Sequence, residues 1–253
     1  MLSVLHEDNH LLVVDKPAGI ATMGAESGPT VHSMAADYIK QRYNKPGKAF
    51  VGIVSRLDTM TSGVLVLART SKAASRLTPQ FGGNQKTRKP LPRADKVYIA
   101  AIEGHLDGDS GSLVDFVRKD DAARRMRVVD QNVSGAQESG AQEVCLDYVV
   151  LGRTDAVTLV AVRLRTGRKH QIRVQFAASG NTVWGDRKYG SRESFAGIAL
   201  HSLMLQISHP TLTTRMLFSV EPPKSWKPFD DALPSMSDLR ETVAKRFDIE
   251  LAS

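Results

Sequence analysis

The chain has 253 residues, 42% of them hydrophobic and 24% charged, a balance that supplies a sizeable core and excludes a disordered or fibrous chain. Lys and Arg number 34 against 27 Asp and Glu, a net charge of +7 that favours a polyanionic partner such as nucleic acid. One cysteine, Cys145, rules out an intrachain disulfide; with no apolar run of membrane-span length and no signal-like leader, a cytoplasmic protein is expected.

Residues 6–10 read His-Glu-Asp-Asn-His, the letters of a zinc-protease pattern. That chemistry needs both histidines on one helical face. This segment is short and runs straight into an apolar strand at residues 11–14, so a polar turn is expected and no metal. Asp15-Lys16-Pro17-Ala18-Gly19 then turns the chain. Residues 30–43 carry Val31, Met34, Ala35, Tyr38 and Ile39 at helical spacing behind Thr30 as a cap.

Two apolar runs, 51–54 and 64–68, read as buried strands. Between them lies Ser55-Arg56-Leu57-Asp58-Thr59-Met60-Thr61-Ser62-Gly63. A polar loop held by rigid elements is a common position for binding and catalytic groups, though Asp58 equally suits a turn bonded to its own backbone. Residues 71–77 suit a short helix capped by Ser71.

Residues 82–95 hold Lys86, Arg88, Lys89 and Arg93 with Pro90 and Pro92, a basic loop fit for solvent or nucleic acid. A strand follows at 96–102, with Val97, Ile99 and Ala101 on one face and Lys96, Tyr98 and Ala100 on the other. Two β segments, 111–121 and 126–130, flank a cluster of Arg118, Lys119, Arg124, Arg125 and Arg127, and residues 132–142 suit a mobile loop. Segments 143–151 and 156–164 form a strand pair, in which Cys145 is a small core residue rather than a nucleophile.

Residues 165–180 read as a glycine turn leading into a short helix stopped by Gly180. Arg165, Arg168, Lys169 and Arg173 crowd its start, where cations oppose the helix dipole, so a carboxylate or anion from elsewhere is expected. Residues 180–190 have the spacing of a phosphate loop, but Asp186 stands where its Lys would be, which excludes nucleotide hydrolysis. Strands at 200–208 and 216–220 and a helix at 237–247 complete the chain.

Taken together, the Arg56-Leu57-Asp58 to Gly63 stretch, Lys96 to Ala100 (K-x-Y-x-A), Gly167 to Arg173 (G-R-x-H-Q-I-R) and Gly185-Asp186-Arg187-Lys188-Tyr189-Gly190 resemble the motifs of RluA-type RNA pseudouridine synthases, in the right order. The opening at 15–19 and Leu200-His201-Ser202 are similar as well. Ser55 and Gln175 depart from it, each where the family usually has His, and altered substrate contacts are expected from them.

The resemblance implies an α+β fold, a mixed and mostly antiparallel central sheet flanked by helices with a central catalytic cleft. It implies one catalytic domain over 1–253, without an S4-type domain in front. The implied reaction turns uridine in ribosomal or transfer RNA into pseudouridine, with no cofactor and no metal. Asp58 would act at the sugar as nucleophile or base, Arg173 would hold it ionised, and Tyr98 would stack on the uracil. Arg56, Leu57, Thr61, Arg168, His170 and Gln171 are the implied substrate contacts. A non-enzymatic RNA-binding or RNA-folding protein of the same fold is the alternative. No membrane partner is expected, and a monomer is favoured.

Overall fold

The computed structural model describes residues 2–44, 46–83, 92–130 and 140–251. In chain order the elements are β1 (Ser3–Glu7), β2 (Leu11–Lys16), α1 (Val31–Arg42), β3 (Gly52–Ile53), β4 (Ser62–Ala68), α2 (Ser71–Leu77), β5 (Asp95–Glu103), β6 (Ser110–Asp120), β7 (Arg125–Val129), β8 (Gln142–Arg153), β9 (Val157–Leu164), α3 (Gln171–Ala178), β10 (Leu200–Ser208), β11 (Arg215–Ser219) and α4 (Met236–Phe247). Short 3-10 turns occupy Thr78–Phe81, Arg187–Tyr189 and Lys224–Phe229. The chain divides into two units interleaved in sequence: Met1–Lys96 with His201–Pro223 and Leu251–Ser253, and Val97–Leu200 with Lys224–Glu250. Within the two units the pairs β1–β2, β2–β4, β3–β4, β10–β11, β5–β9, β9–β8, β8–β6 and β6–β7 are antiparallel and β4–β10 is parallel, so the fold is α+β, as the resemblance implies.

In the first unit β4 is the axis. All seven of its residues are buried, because its Val and Leu positions face apolar neighbours on both sides. β2 runs antiparallel to it from Leu11↔Ala68 to Lys16↔Gly63. β10 joins its first residues in parallel, His201↔Ser62 and Ser202↔Gly63, and β3 pairs with its last. Leu11, Val13, Val64, Val66, Leu77, Leu205 and Ile207 form the core of this unit. α1 lays Val31, Ala35 and Ile39 inward at four-residue spacing. Its Thr30 cap is present as a capping box with Ser33, and Lys40 and Arg42 sit in the last turn, where cations suit the dipole.

Two local expectations are corrected here. Thr70, not Ser71, caps α2: Thr70 is extended and its hydroxyl accepts the Ala73 N–H, so Ser71 is already the first helical residue. His6 lies within strand β1, and only residues 8–10 make the turn, because the Asp8 carboxylate accepts the N–H groups of His10 and Leu11 and closes the hairpin. Lys86, Arg88, Lys89 and Pro90 of the expected basic loop, and residues 132–139 of the expected mobile loop, lie outside the described residues.

The second unit is an antiparallel sheet in the order β5-β9-β8-β6-β7. Val97 to Ile102 are buried on both faces of β5, so the alternation read from the sequence separates two covered faces rather than core from solvent. α3 covers one face of β6: the Gln175 amide donates to the Leu113 carbonyl and to Asp115 Oδ2. Val117, Val144, Val174 and Tyr189 pack beneath that helix. α4 is capped by Ser235 and buries Leu239, Val243, Ala244 and Phe247. Its last carbonyl, at Phe247, accepts from Arg163 Nη1 on β9 at 2.5 Å.

Candidate active site

The Asp58 loop hangs between β3 and β4 and is tied down from beneath. The Leu57 N–H donates to the Thr22 hydroxyl at 3.2 Å, and that hydroxyl donates to the Leu57 carbonyl at 2.9 Å. Leu57 and Thr22 are both buried. The Thr61 N–H donates to the Asp58 carbonyl, which closes the loop as a turn. Asp58 itself is half-buried, and Arg56 beside it is exposed. Arg56 forms no hydrogen bond or ion pair with a described residue, whereas the Asp58 side of the loop is engaged. Thr61 is buried, and its hydroxyl has no hydrogen-bond partner among the described residues.

Lys16 is the residue that sequence reading missed. It is fully buried, and its ammonium donates to the carbonyls of Pro17, Ile20 and Thr59 at 2.8, 2.8 and 3.0 Å. The last of these lies in the Asp58 loop, so one side chain pins that loop to the turn at 17–20. Burial pulls the ammonium down to about 8, against the opposing pull of the Asp58 and Asp15 carboxylates. Three carbonyl acceptors match the three N–H bonds of the charged form, which keeps Lys16 cationic at neutral pH. The signal was present in the Asp15-Lys16-Pro17-Ala18-Gly19 turn, but a lysine in a turn is ordinarily solvated, and only burial makes it informative.

The Thr61-Ser62-Gly63 end of the loop is explained by β10. Ser62 Oγ bonds His201 Nδ1 at 2.8 Å, and His201 Nε2 donates to the Val220 carbonyl. Burial pulls this imidazole down to about 4, so it is neutral and holds its place by both ring nitrogens. Gly63 has φ +109, and a Cβ there would lie 2.2 Å from the Ser202 carbonyl oxygen. No other residue fits this crossing.

In the second unit, Tyr98 sits on β5 opposite Val162 and is 8% exposed. Arg173, in the first turn of α3, meets Asp186 in a two-pronged pair, Nε to Oδ2 at 2.6 Å and Nη2 to Oδ1 at 2.9 Å. Both are buried, and the guanidinium carbon lies 5.1 Å from the centre of the Tyr189 ring. The carboxylate that the crowded helix start demanded therefore includes Asp186, set in the 185–190 motif by the turn at Arg187–Tyr189. Gly185, with φ +80, is required where a Cβ would meet Phe195 at 2.7 Å. Arg165 finds a second carboxylate, Asp147, at 2.5 Å.

The other predicted contacts divide by exposure. Arg168 and Lys169 are exposed, and His170 is half-buried with its Nδ1 2.9 Å from the Tyr189 hydroxyl. Gln171 is buried and fully engaged: its carbonyl accepts from the Thr166 hydroxyl and the Arg168 N–H, and its amide donates to the Cys145 carbonyl and to Gln175. Gln175 faces β6 through Asp115 and Leu113, which accounts for its amide in that position. Burial and the Asp147 charge push the Cys145 thiol up, against Arg165, the reverse of what a nucleophile needs. Among the described residues no helix is long and apolar enough to cross a membrane.

Comparison with known proteins gives this arrangement its class. Residues 10–178 match the family model described as RNA pseudouridylate synthase. The chain is 33% identical to an uncharacterized RNA pseudouridine synthase of Aquifex aeolicus, over 89% of this chain and 71% of that protein. It is 34% identical to the dual-specificity RNA pseudouridine synthase RluA of Yersinia pestis, over 86% and 98%. Its fold is similar to that of human RNA pseudouridylate synthase domain containing 1, with a TM-score of 0.70, 24% identity and coverage of 96% and 94%. The chain belongs to the RNA pseudouridylate synthase family. Within that family it is of the RluA type, and so an isomerase.

Proposed function

We propose that this enzyme isomerises particular uridines in ribosomal or transfer RNA, with Asp58 as the group that acts at the sugar. In the reaction the bond from C1′ to N1 breaks, the uracil turns, C5 joins C1′, the C5 hydrogen leaves as a proton and N1 gains one. No oxidant and no group donor enters that balance. Asp58 serves either as nucleophile at C1′ or as base at C2′. Arg173 orients the carboxylate, and Tyr98 stacks on the uracil face and assists the proton transfer at C5.

The observation that carries this reading is the clamped Asp58 loop. A half-exposed acid on a turn fixed by buried Lys16 and Thr22 is pre-organised for chemistry and still reachable. The target base must leave its stack, at about a few kcal/mol, and Arg56 is placed beside Asp58 to fill the gap or grip a phosphate. Leu57, Thr61, Arg168, His170 and Gln171 are the further contacts proposed for the substrate. Leu57 and Gln171 act by shaping the backbone, given how fully their polar groups are engaged. One catalytic domain over 1–253 carries the activity, in the cytoplasm, with a monomer favoured.

Incubation with RNA carrying tritium at uridine C5 tests the proposal. The unaltered enzyme is expected to release tritium to water. Asp58→Asn, which keeps size and polarity, is expected to lower the rate by at least about 10⁴-fold. Release at the unaltered rate would remove Asp58 from its role, and no release from the unaltered protein would favour an RNA-folding function without catalysis.

A further inference from the structure

β6 and β7 form a hairpin whose two faces differ. At odd positions of β6, Val117 pairs with Val128 of β7 and packs with Val144, Val174 and Tyr189 under α3. At even positions nothing is buried: Val114 is 55% exposed, and Phe116 and Arg118 are half-exposed. Directly opposite residues of an antiparallel pair share a face, so Arg118↔Arg127 and Phe116↔Val129 lie side by side on this open surface.

The Arg118↔Arg127 pair is unfavourable by itself, since like charges directly opposite destabilise a sheet. Neither guanidinium has a hydrogen bond or ion pair with a described residue. This contrasts with the compensated cations nearby: Arg165 has Asp147, and Lys119 pairs with Asp121. Glu143 stands opposite Phe116 rather than opposite either arginine. A half-exposed aromatic ring on a sheet beside two unpaired guanidinium groups suits one chemistry well. A base stacks on the ring, and the flanking phosphates take the cations.

We propose that this face of β6 and β7 binds a single-stranded segment of RNA: Phe116 stacks on a base, and Arg118 and Arg127 hold the adjacent phosphates. The inference rests on RNA being the substrate, and it gives the enzyme a grip on its target that involves none of the residues assigned to the reaction.

The probe is a fluorescently labelled single-stranded RNA of mixed sequence, about twelve nucleotides long, beside a duplex of the same length. The Arg118→Glu, Arg127→Glu double variant is expected to bind the single strand at least about ten-fold more weakly. Its slope of log affinity against log salt should fall by about 1.4, because each lost phosphate contact on a single strand removes about 0.7. Phe116→Ala should lose about ten-fold with the slope unchanged. Arg118→Glu alone turns the like-charged pair into an opposite-charged one. Its melting temperature should hold or rise while affinity falls; if both fall together, the arginines serve the fold and the proposal is overturned. Wild-type affinity and slope in the double variant, or equal weakening on the duplex alone, would also overturn it. Failure of the unaltered protein to bind any RNA would overturn the substrate reading itself, which separates the two failures.

Discussion

Lys16 has two jobs that pull against each other. Its ammonium is removed from water, which disfavours charge, yet only the charged form has a proton for each of the three carbonyls around it. The folded protein holds it at about 8 rather than the ordinary 10.5. Between those pH values the unfolded chain carries more protons than the folded one, so this group makes stability rise with pH from about 8 to about 10. Lys16→Met should flatten that rise in thermal melts taken across the range. Met relieves a buried charge but leaves three carbonyls without their donor, so the net stability change at neutral pH should stay within about 2 kcal/mol. The Asp58 loop loses its pin, and kcat should fall about a hundred-fold, since a misplacement of about 1 Å has that effect. A variant with unaltered kcat would free the loop from dependence on Lys16.

The elements that carry the site are held by contacts at their ends. β4 is joined to β10 through Ser62 and His201, and the crossing is tight enough that Gly63 has no room for a side chain. Gly63→Ala adds an unfavourable dihedral to a clash with backbone that cannot yield, and should destabilise by at least about 3 kcal/mol in urea unfolding. Gly82→Ala is the matched control: φ is also positive, at +92, but nothing among the described residues lies within 4 Å of the new carbon. Its loss should be about 1 to 2 kcal/mol. Equal losses at the two positions would show that the dihedral, not the approach of β10, makes glycine necessary at 63. The helix ends were legible in sequence to within a residue or so, because α1 has the expected spacing and Thr30 and Gly180 mark ends; α3 departs from its expected apolar side, burying every residue from Gln171 to Phe176. The α2 cap was misread by one residue, since Thr70 and Ser71 are both good caps and the extended backbone of Thr70 decides between them.

For the whole molecule, the excess of basic residues makes an electrostatic prediction. RNA affinity should fall steeply and log-linearly with salt, with a slope of several units. A flat response in anisotropy titrations would mean that the net charge of +7 does not track the substrate backbone.

The sequence by itself determined the order of the motifs and the presence of an acid at position 58 on a loop between apolar strands, and the fold class followed from the family those motifs resemble. The motifs and the strands depend on local patterning, which one chain displays directly. Only the tertiary structure decided which partner each charge meets. Asp186 reached Arg173 from 13 residues away, Lys16 reached Thr59 across 43, and Ser62 met His201 across 139. Coulombic and hydrogen-bond energies act over a few ångströms, so separation along the chain says little about who pairs with whom until the chain has folded.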